Sequence, residues 1–325
     1  MKNFIIIGNG TAGIAAAQKI RSLDSSAKVT IFSDENYFYY IRPNLIGFLA
    51  NKYSLEDLQT QADNWYQKNN FKLLKNTKID LINKTEKYVK TNDNRVFHYD
   101  KLIIATGAKP SLPPISGIKQ DKIFTLRTID DAQKIKNFNP KEIIIIGGGL
   151  LGIEIAGSLV DSNRKIKIID IADYPLPRQL NLAQGQKLAN LLKEKGIHFY
   201  PAEICQNINK DQDKFTITTQ KTTEITGDLI LVSAGVKARV TLAEKSQLTT
   251  DKGIVVNEYL QTSDPDIYAA GDCIQLEDKL WGFVKSAFQQ GQIAAENIIQ
   301  GNTVKYLRTA IDPVLKVSGI DLKEL

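Results

Sequence analysis

The sequence predicts an α/β fold with two doubly wound parallel-sheet units, the second inserted into the first. Three repeated features lead to this prediction. A glycine-rich turn between a short apolar strand and a helix occurs at residues 8–13 and again at 147–152. Each turn is followed by another apolar strand that ends in an acidic residue. Further along, "DKLIIATGAK" and "DLILVSAGVK" repeat a strand and small-residue turn that we expect to close each unit. Alternating strands and helices build parallel sheets covered by helices.

Length and charge narrow the class of protein. A chain of 325 residues is too long for one compact core, so more than one domain is expected. Its content of 42% apolar and 24% charged residues is typical of a soluble globular protein. The net charge of +6 fits a lysine-rich solvated surface, and steering of an acidic partner is the alternative. Because the cationic residues are scattered, a nucleic-acid partner is not predicted.

Rare residues and apolar runs exclude further classes. Only Cys205 and Cys273 are cysteines, which excludes a disulfide scaffold and fits a reducing cytoplasm. Two histidines and one methionine leave too few ligands for a predicted metal site. Residues 1–17 imitate a signal peptide, and residues 143–160 are long enough to imitate a membrane span. Both runs contain the glycine-rich turn, and the second carries Glu154, so no membrane segment is predicted.

The first glycine turn predicts a dinucleotide site. Gly8, Gly10 and Gly13 form GxGxxG between a strand and a helix, the pattern of a Rossmann-like unit. The first glycine makes the turn, the second admits a pyrophosphate to the backbone, and the third packs helix on strand. The positive helix N-terminus favours the phosphates. A ribose-binding acid is expected roughly 20 residues later, where Asp34 and Glu35 both qualify and we favour Glu35.

The second glycine turn repeats the pattern with an acid that indicates the nucleotide. Gly147, Gly149 and Gly152 occupy the three positions, and the next strand, "KIKIID", ends at Asp170. A carboxylate there accepts hydrogen bonds from ribose hydroxyls and repels a 2′-phosphate. The two residues after Asp170 include no arginine that could bind such a phosphate. The sequence therefore predicts NADH in preference to NADPH.

At these residues the chain resembles the FAD- and NAD(P)-dependent pyridine-nucleotide oxidoreductases. Within that family it is most similar to the NADH:rubredoxin reductase branch. The resemblance covers essentially the whole chain, through the two glycine motifs, "YYIRPNL", "LIIATGAKP", "PLPRQLN", "TSDPDIYAAGDC" and "PVLKVSG". It implies FAD as the cofactor of the first unit and NADH as that of the second.

The resemblance also implies roles for individual residues. Arg42 and Pro43 would line the flavin, Ile79 would contact the adenine through its backbone, and Asp272 would bind the ribityl chain. A surface role for Arg42 and a turn role for Asp272 remain the alternatives. The residues predicted for FAD are Gly8, Gly10, Thr11, Ala12, Gly13, Glu35, Arg42, Pro43, Ile79, Ala105, Thr106, Gly107, Gly271 and Asp272. Those predicted for NADH are Gly147, Gly149, Leu150, Leu151, Gly152, Glu154, Asp170 and Gly235, with Glu154 facing the nicotinamide side.

The segment after the first unit's acid predicts where electrons go. Residues 37–50, "YFYYIRPNLIGFLA", contain no cysteine, whereas disulfide reductases of the family that the chain resembles carry a CxxxxC pair there. We expect the four aromatic residues at its start to be packing residues rather than flavin stackers. Cys205 and Cys273 are expected to be inert. Electrons would then leave the flavin directly, to a protein redox centre, dioxygen or another small oxidant.

These inferences give a domain plan and a function. Residues 1–112 and 240–305 are predicted to form a discontinuous FAD domain, 113–239 the inserted NAD domain, and 306–325 the remnant of a C-terminal interface module. The expected function is electron transfer from NADH through FAD to a small acidic carrier protein such as rubredoxin, without a catalytic side chain. An NADH oxidase, the flavoprotein part of a nitrite-reductase-like system, and a non-catalytic FAD/NADH-binding module are the alternatives. Monomer and homodimer both remain open.

Overall fold

A computed structural model describes residues 1–161, 163–277, 279–280 and 282–307, together with Val317, Ile320, Leu322 and Leu325. Most of the predicted C-terminal remnant at 306–325 therefore lies outside the described residues. Among the described residues, no helix combines the length and hydropathy needed to cross a bilayer.

The described elements alternate between strands and helices along most of the chain. The strands are β1 (Asn3–Ile7), β2 (Lys28–Phe32), β3 (Tyr39–Tyr40), β4 (Gln59–Gln61), β5 (Phe71–Leu74), β6 (Ile79–Asn83), β7 (Tyr88–Thr91), β8 (Val96–His98), β9 (Lys101–Ile104), β10 (Ala108–Pro110), β11 (Ile123–Phe124), β12 (Glu142–Ile146), β13 (Lys165–Ile169), β14 (Ile197–Tyr200), β15 (Cys205–Asp211), β16 (Lys214–Thr219), β17 (Glu224–Gly227), β18 (Leu229–Val232), β19 (Val236–Ala238), β20 (Ile254–Val256), β21 (Ile267–Ala269), β22 (Ile274–Leu276) and β23 (Lys279–Leu280). The helices are α1 (Thr11–Leu23), α2 (Asn44–Leu49), α3 (Leu55–Leu58), α4 (Asp63–Lys68), α5 (Ile129–Phe138), α6 (Leu150–Leu159), α7 (Leu182–Glu194), α8 (Thr241–Lys245) and α9 (Val284–Gln300).

The chain divides into two compact units. The first unit comprises Met1–Ile41, Glu56–Lys109 and Lys237–Ile311, and the second comprises Arg42–Leu55, Pro110–Val236 and Asp312–Leu325. The segment 42–55 lies in the second unit, whereas the sequence placed it in the FAD domain. The reason is packing, because α2 contacts α5 and α6 of the second unit.

The first unit is built on a parallel sheet with the strand order β21-β9-β1-β2-β5. Its central strand β1 is almost entirely buried, because helices cover both faces of such a sheet. The sequence predicted that β9 would be the last strand of the unit, and the structure differs from this prediction. Strand β21 returns after the second unit and pairs with the free edge of β9, Ile267 opposite Leu102. This unit also contains a small antiparallel sheet, β6-β7-β8.

The second unit repeats this design. Its parallel sheet has the order β11-β18-β12-β13-β14. Strand β12, which leads into the glycine turn, lies at the centre, as β1 does in the first unit. An antiparallel sheet, β15-β16-β17, occupies the same place in the chain as β6-β7-β8 in the first unit. The two sheets differ in the edge strand next to β18 or β9. In the second unit this strand, β11, precedes the unit's glycine turn in the sequence, whereas in the first unit the corresponding strand, β21, follows the glycine turn by more than 250 residues.

Two helix termini are capped by the residues next to them. Thr128 accepts a hydrogen bond from the backbone N–H of Asp131, and the Asp131 carboxylate accepts one from the Thr128 backbone N–H, which is a capping box at the start of α5. Helix α9 ends at Gly301, whose φ of +80° lies in the region that favours glycine.

Candidate functional site

The first glycine turn has two positions where the protein itself requires glycine. Gly8 has a φ of +123°, and a Cβ there would lie 2.1 Å from the carbonyl oxygen of Ala105. A Cβ on Gly13 would lie 1.9 Å from the carbonyl oxygen of Gly8. Both contacts are far below van der Waals distance, so any side chain would displace the backbone. These two glycines therefore fix the turn between β1 and α1.

Gly10 is different, because nothing in the protein requires a glycine there. Its φ of −91° and ψ of −172° are extended values that any residue adopts. Apart from Gly10 itself and its two chain neighbours, no described residue has a heavy atom within 4 Å of the position that a Cβ would take. Gly10 therefore leaves open space directly before the first turn of α1, where Thr11 and Ala12 present backbone N–H groups.

Four more of the residues predicted to bind FAD follow strands at the same edge of the sheet of the first unit: Ala105, Thr106, Gly271 and Asp272. Ala105 follows β9 and donates its backbone N–H to the Ile7 carbonyl at 2.8 Å. Thr106 Oγ1 donates to the Arg239 carbonyl at 3.1 Å. Gly271 follows β21 with a φ of +88° and precedes the partly buried Asp272. The structure thus brings together the ends of β1, β9 and β21, as expected for a site at the carboxyl edge of a parallel sheet.

The two candidate ribose acids have different partners. Asp34 Oδ2 accepts a hydrogen bond from Arg239 Nη1 at 2.8 Å. Glu35 Oε2 accepts one from the Tyr40 hydroxyl. The backbone N–H of Asn76, shortly before β6 and Ile79, donates to the Glu35 carbonyl at 3.2 Å. Glu35 and the start of β6 are therefore neighbours, and the choice of Glu35 over Asp34 stays a prediction.

A buried tyrosine holds the first glycine turn against the segment that follows β2. Tyr66 Oη donates to Asn9 Oδ1 at 2.9 Å and accepts from the backbone N–H of Tyr39 at 3.1 Å. Burial raises the pKa of Tyr66 to about 12, so the hydroxyl keeps its proton near neutral pH. The Tyr39 hydroxyl also lies 3.2 Å from Thr11 Oγ1. Tyr39 and Tyr40 are buried, which agrees with packing as their role.

The second glycine turn has nearly the same geometry. Gly147 has a φ of +111°, and a Cβ there would lie 2.4 Å from the Ser233 carbonyl oxygen. A Cβ on Gly152 would lie 2.0 Å from the Gly147 carbonyl oxygen. Gly149 has a φ of −73° and a ψ of 179°. Its chain neighbours aside, no residue in the described part of the chain comes within 4 Å of the position that its Cβ would take. Leu150 and Leu151 begin α6 after this open position.

The acid of the second unit is fixed directly to its glycine turn. Asp170 Oδ2 accepts a hydrogen bond from the Gly148 backbone N–H, and Oδ1 accepts one from that of Ala172 at 2.8 Å. Both oxygens keep further lone pairs for ribose hydroxyls. Ile171 is 75% exposed, so no side chain from that position covers the acid. Gly235, with a φ of +86°, follows β18 and has open space around it.

Three further predicted residues belong to the second unit. Arg42 is partly buried, and its Nη1 donates to the Arg127 carbonyl at 2.6 Å. Pro43 is exposed and precedes α2. Glu154 is partly buried on α6. The roles proposed for Arg42 and Pro43 at the flavin, and for Glu154 at the nicotinamide, stay predictions.

Neither cysteine has the environment of a redox thiol. Cys273 is fully buried, and burial raises the pKa of its thiol. Its Sγ lies 3.3 Å from the Ala270 carbonyl oxygen and 3.6 Å from that of Ile104. Burial and the nearby Glu203 raise the pKa of Cys205 to about 11. Both thiols stay protonated near neutral pH, where only the thiolate reacts.

These features fit two dinucleotides. At Gly10 and Gly149, neither backbone conformation nor packing explains the glycine, whereas the close approach of a ligand does. The open position stands in each case at the N-terminus of a helix of ten residues or more, which attracts phosphates. Among the described residues, no three metal-binding side chains cluster.

Comparison with known proteins agrees with this geometry. The family model "Pyridine nucleotide-disulphide oxidoreductase" matches residues 2–291. The chain belongs to this family. An NADH-rubredoxin oxidoreductase from Clostridium acetobutylicum is 34% identical over 98% of the chain and 80% of that protein. The family's cofactors are FAD and NADH, and its fold of parallel-sheet nucleotide units is the one described here.

Two further members of the family are similar to most of the chain. The nitrite reductase [NAD(P)H] of Bacillus subtilis is 30% identical over 99% of the chain, which spans 40% of that protein. The solved NAD-dependent persulfide reductase of A. fulgidus has a TM-score of 0.90 and 30% identity, over 97% of the chain and 62% of that structure. The chain therefore spans about two fifths of the nitrite reductase and under two thirds of the persulfide reductase.

Sequence reasoning missed several residues of the site. Tyr66 and Asn9 meet across 57 positions, and Arg239 reaches Asp34 across 205. No local pattern signals such pairs. Gln290 did leave a signal, because it is the largest polar residue on the buried face of α9, next to the small residues Ala287, Gly291 and Ala294.

Proposed function

We propose that the chain is an FAD-dependent oxidoreductase that passes electrons from NADH through the flavin to a small acidic electron-carrier protein such as rubredoxin. The first unit would hold FAD, with the pyrophosphate at Gly10 and the ribose at Glu35. The second would hold NADH, with the pyrophosphate at Gly149 and the ribose at Asp170. The chemistry that FAD supplies when bound is hydride acceptance from NADH and release of single electrons.

One combination of features carries this proposal: each unit has an open glycine position at a helix N-terminus, and neither cysteine of the chain is a reactive thiol. The residues of the chain bind and orient the two cofactors, and no described side chain is needed to transfer protons. Cys273 is buried and Cys205 has a raised pKa, so neither supports a thiol relay. Electrons then pass from the flavin to an external acceptor. Similarity to the rubredoxin reductase supports a carrier protein, and the net charge of +6 suits an acidic one.

The similarity to the nitrite reductase favours a second candidate. The similarity covers 99% of the chain but only 40% of the nitrite reductase. The same two units could therefore serve as the flavoprotein part of a nitrite-reductase-like system. In that case electrons would leave for a redox centre outside the described units.

NADH consumption measured with three acceptors separates these candidates. We expect added rubredoxin to raise turnover strongly above the rate with dioxygen alone, and the effect to fall as salt is raised, because charge steers the encounter. Ferricyanide serves as an acceptor that needs no specific docking. Turnover with ferricyanide but not with rubredoxin would favour the nitrite-reductase alternative, and stoichiometric peroxide formation in air would favour the oxidase. No flavin reduction by NADH at all would leave only a non-catalytic module.

A further inference from the structure

Helix α9 buries the amide of Gln290 among small neighbouring residues. Gln290 is fully buried in the first unit, on the same face as Ala287, Gly291 and Ala294. Its Oε1 accepts a hydrogen bond from the Gly271 backbone N–H at 2.8 Å. Because an N–H group needs an acceptor, this contact fixes the orientation of the amide and leaves Nε2 on its other side.

The Nε2 half of this amide is buried, and among the described residues none accepts a hydrogen bond from it. Buried polar groups are almost always paired, because burial without a hydrogen bond is costly. An orphaned donor of this kind indicates a ligand or a water molecule that completes it.

The amide lies where the candidate FAD site is assembled. A Cβ on Gly271 would be 3.1 Å from the Cβ of Ala12, in the first turn of α1. A Cβ on Gly291, the next residue after Gln290, would be 2.2 Å from the Ala12 carbonyl oxygen. Gln290 is thus enclosed between the glycine turn of the first unit and the turn that presents Asp272.

We propose that Gln290 is an FAD-binding residue whose Nε2 donates a hydrogen bond to the pyrophosphate or ribityl part of the cofactor. Through Oε1 it also positions the Gly271–Asp272 turn. This inference rests on the proposed place of FAD in the first unit. Oxygen atoms of a phosphate or a sugar chain match Nε2, whose two N–H groups can only donate.

The same unit contains a matched control. Gln275 is also buried, and its Oε1 accepts a hydrogen bond from the Gly253 backbone N–H at 3.1 Å. Its Nε2, in contrast, donates to Asp251 at 3.0 Å. The two glutamines therefore share the contact to a glycine N–H and differ in whether the protein satisfies the second donor.

The test replaces each glutamine by glutamate, which keeps an acceptor for the glycine N–H and removes the amide donor. Flavin fluorescence after dilution gives the FAD dissociation constant, and the melting temperature of the apoprotein gives the structural effect. We expect Gln290→Glu to weaken FAD binding about tenfold or more, a change of about 1.4 kcal/mol. We expect Gln275→Glu to lower the melting temperature while leaving FAD affinity within about threefold.

The outcomes separate this inference from the proposed function. Equal FAD affinity of Gln290→Glu and the unmodified protein would overturn the role of Gln290, with water as the partner of Nε2. If the unmodified protein binds FAD and Gly10→Val does not, the site of the first unit stands whatever Gln290 does. If the unmodified protein binds no FAD, both fail together. Should Gln290→Glu not fold, Gln290→Met, neutral and similar in length, removes both halves of the amide, and an FAD affinity equal to that of the unmodified protein would again overturn the role of Gln290.

Discussion

The two glycine turns have the same backbone but are held in place differently. In the first unit, the residue between the first two glycines is Asn9, whose side chain accepts a hydrogen bond from the buried Tyr66. In the second unit it is Gly148, whose backbone N–H donates to Asp170. A Cβ on Gly148 would lie 2.6 Å from the Phe199 ring, so an asparagine does not fit there. The first turn is held by the side chain of Tyr66, and the second by Asp170, the acid predicted to bind the ribose.

This difference shows which parts of the motif serve the fold and which serve the ligand. The first and third glycines are required in both units because the backbone leaves no room for a Cβ. The second glycine, Gly10 or Gly149, has ample room and an ordinary conformation. The acid of the second unit holds the turn, and it is also the residue that we predict to bind the nucleotide ribose. The acid of the first unit is separate from the residue that holds the turn.

The largest expected effect comes from filling the two open positions. Gly10→Val should abolish FAD binding and leave a folded apoprotein, because valine fits the extended backbone and meets only the space for the pyrophosphate. Gly149→Val should retain FAD at full stoichiometry and lose flavin reduction by NADH. Flavin absorbance of the purified variants and stopped-flow reduction measure the two effects.

The assignment of FAD to the first turn and NADH to the second would be wrong if Gly149→Val lost FAD or if Gly10→Val kept FAD and lost only its reduction by NADH. Dithionite serves as the control, because it should reduce the flavin of Gly149→Val at the unmodified rate. A Gly10→Val protein with its full yellow spectrum would show that the first turn does not carry the FAD pyrophosphate. Circular dichroism of both variants confirms that the fold is kept.

A smaller effect is expected at the acid of the second unit. Hydrogen bonds of ribose hydroxyls to a carboxylate contribute roughly 1.5–3 kcal/mol each, and about 1.4 kcal/mol is tenfold in affinity. The unmodified protein should therefore prefer NADH to NADPH by about ten- to hundredfold in kcat/KM. Asp170→Ala should weaken NADH use and narrow this preference, and adding Ile171→Arg should narrow it further by pairing with the 2′-phosphate.

Asp173→Ala is the matched control for this prediction. Asp173 is an exposed acid three residues further along the same loop, so its removal changes the local charge without touching the glycine turn. We expect its nucleotide preference to equal that of the unmodified protein. Stopped-flow reduction of the flavin at limiting nucleotide measures the preference without an acceptor. Equal rates with NADH and NADPH in the unmodified protein would show that Asp170 does not select the nucleotide.

The repeated fold was predictable from sequence because its signals are local. The glycine spacing, the strand that follows it and the capping box at Thr128 all lie within short windows. Contacts across long sequence separations were not predictable. The segment 42–55 lies in the second unit because α2 packs on α5 and α6, more than 75 residues away. Strand β21 completes the first sheet although it follows the second unit in the sequence. The contact of Gln290 with the Gly271 backbone N–H was not predictable either, because a backbone group has no signature in the sequence.

The smallest effect is expected from the cysteines, of which each unit holds one. Replacing Cys205 and Cys273 together by serine should leave NADH-dependent flavin reduction and turnover within a few-fold. With its pKa raised to about 11, Cys205 is about one-thousandth thiolate at pH 8. At Cys273, a serine hydroxyl can donate to the Ala270 carbonyl that the thiol now approaches at 3.3 Å. Each single variant identifies which unit is responsible for any loss. Turnover that collapses in a folded, flavin-loaded Cys273→Ser protein would make that thiol part of the electron path, and the two units would then differ in chemistry as well as in how their turns are held.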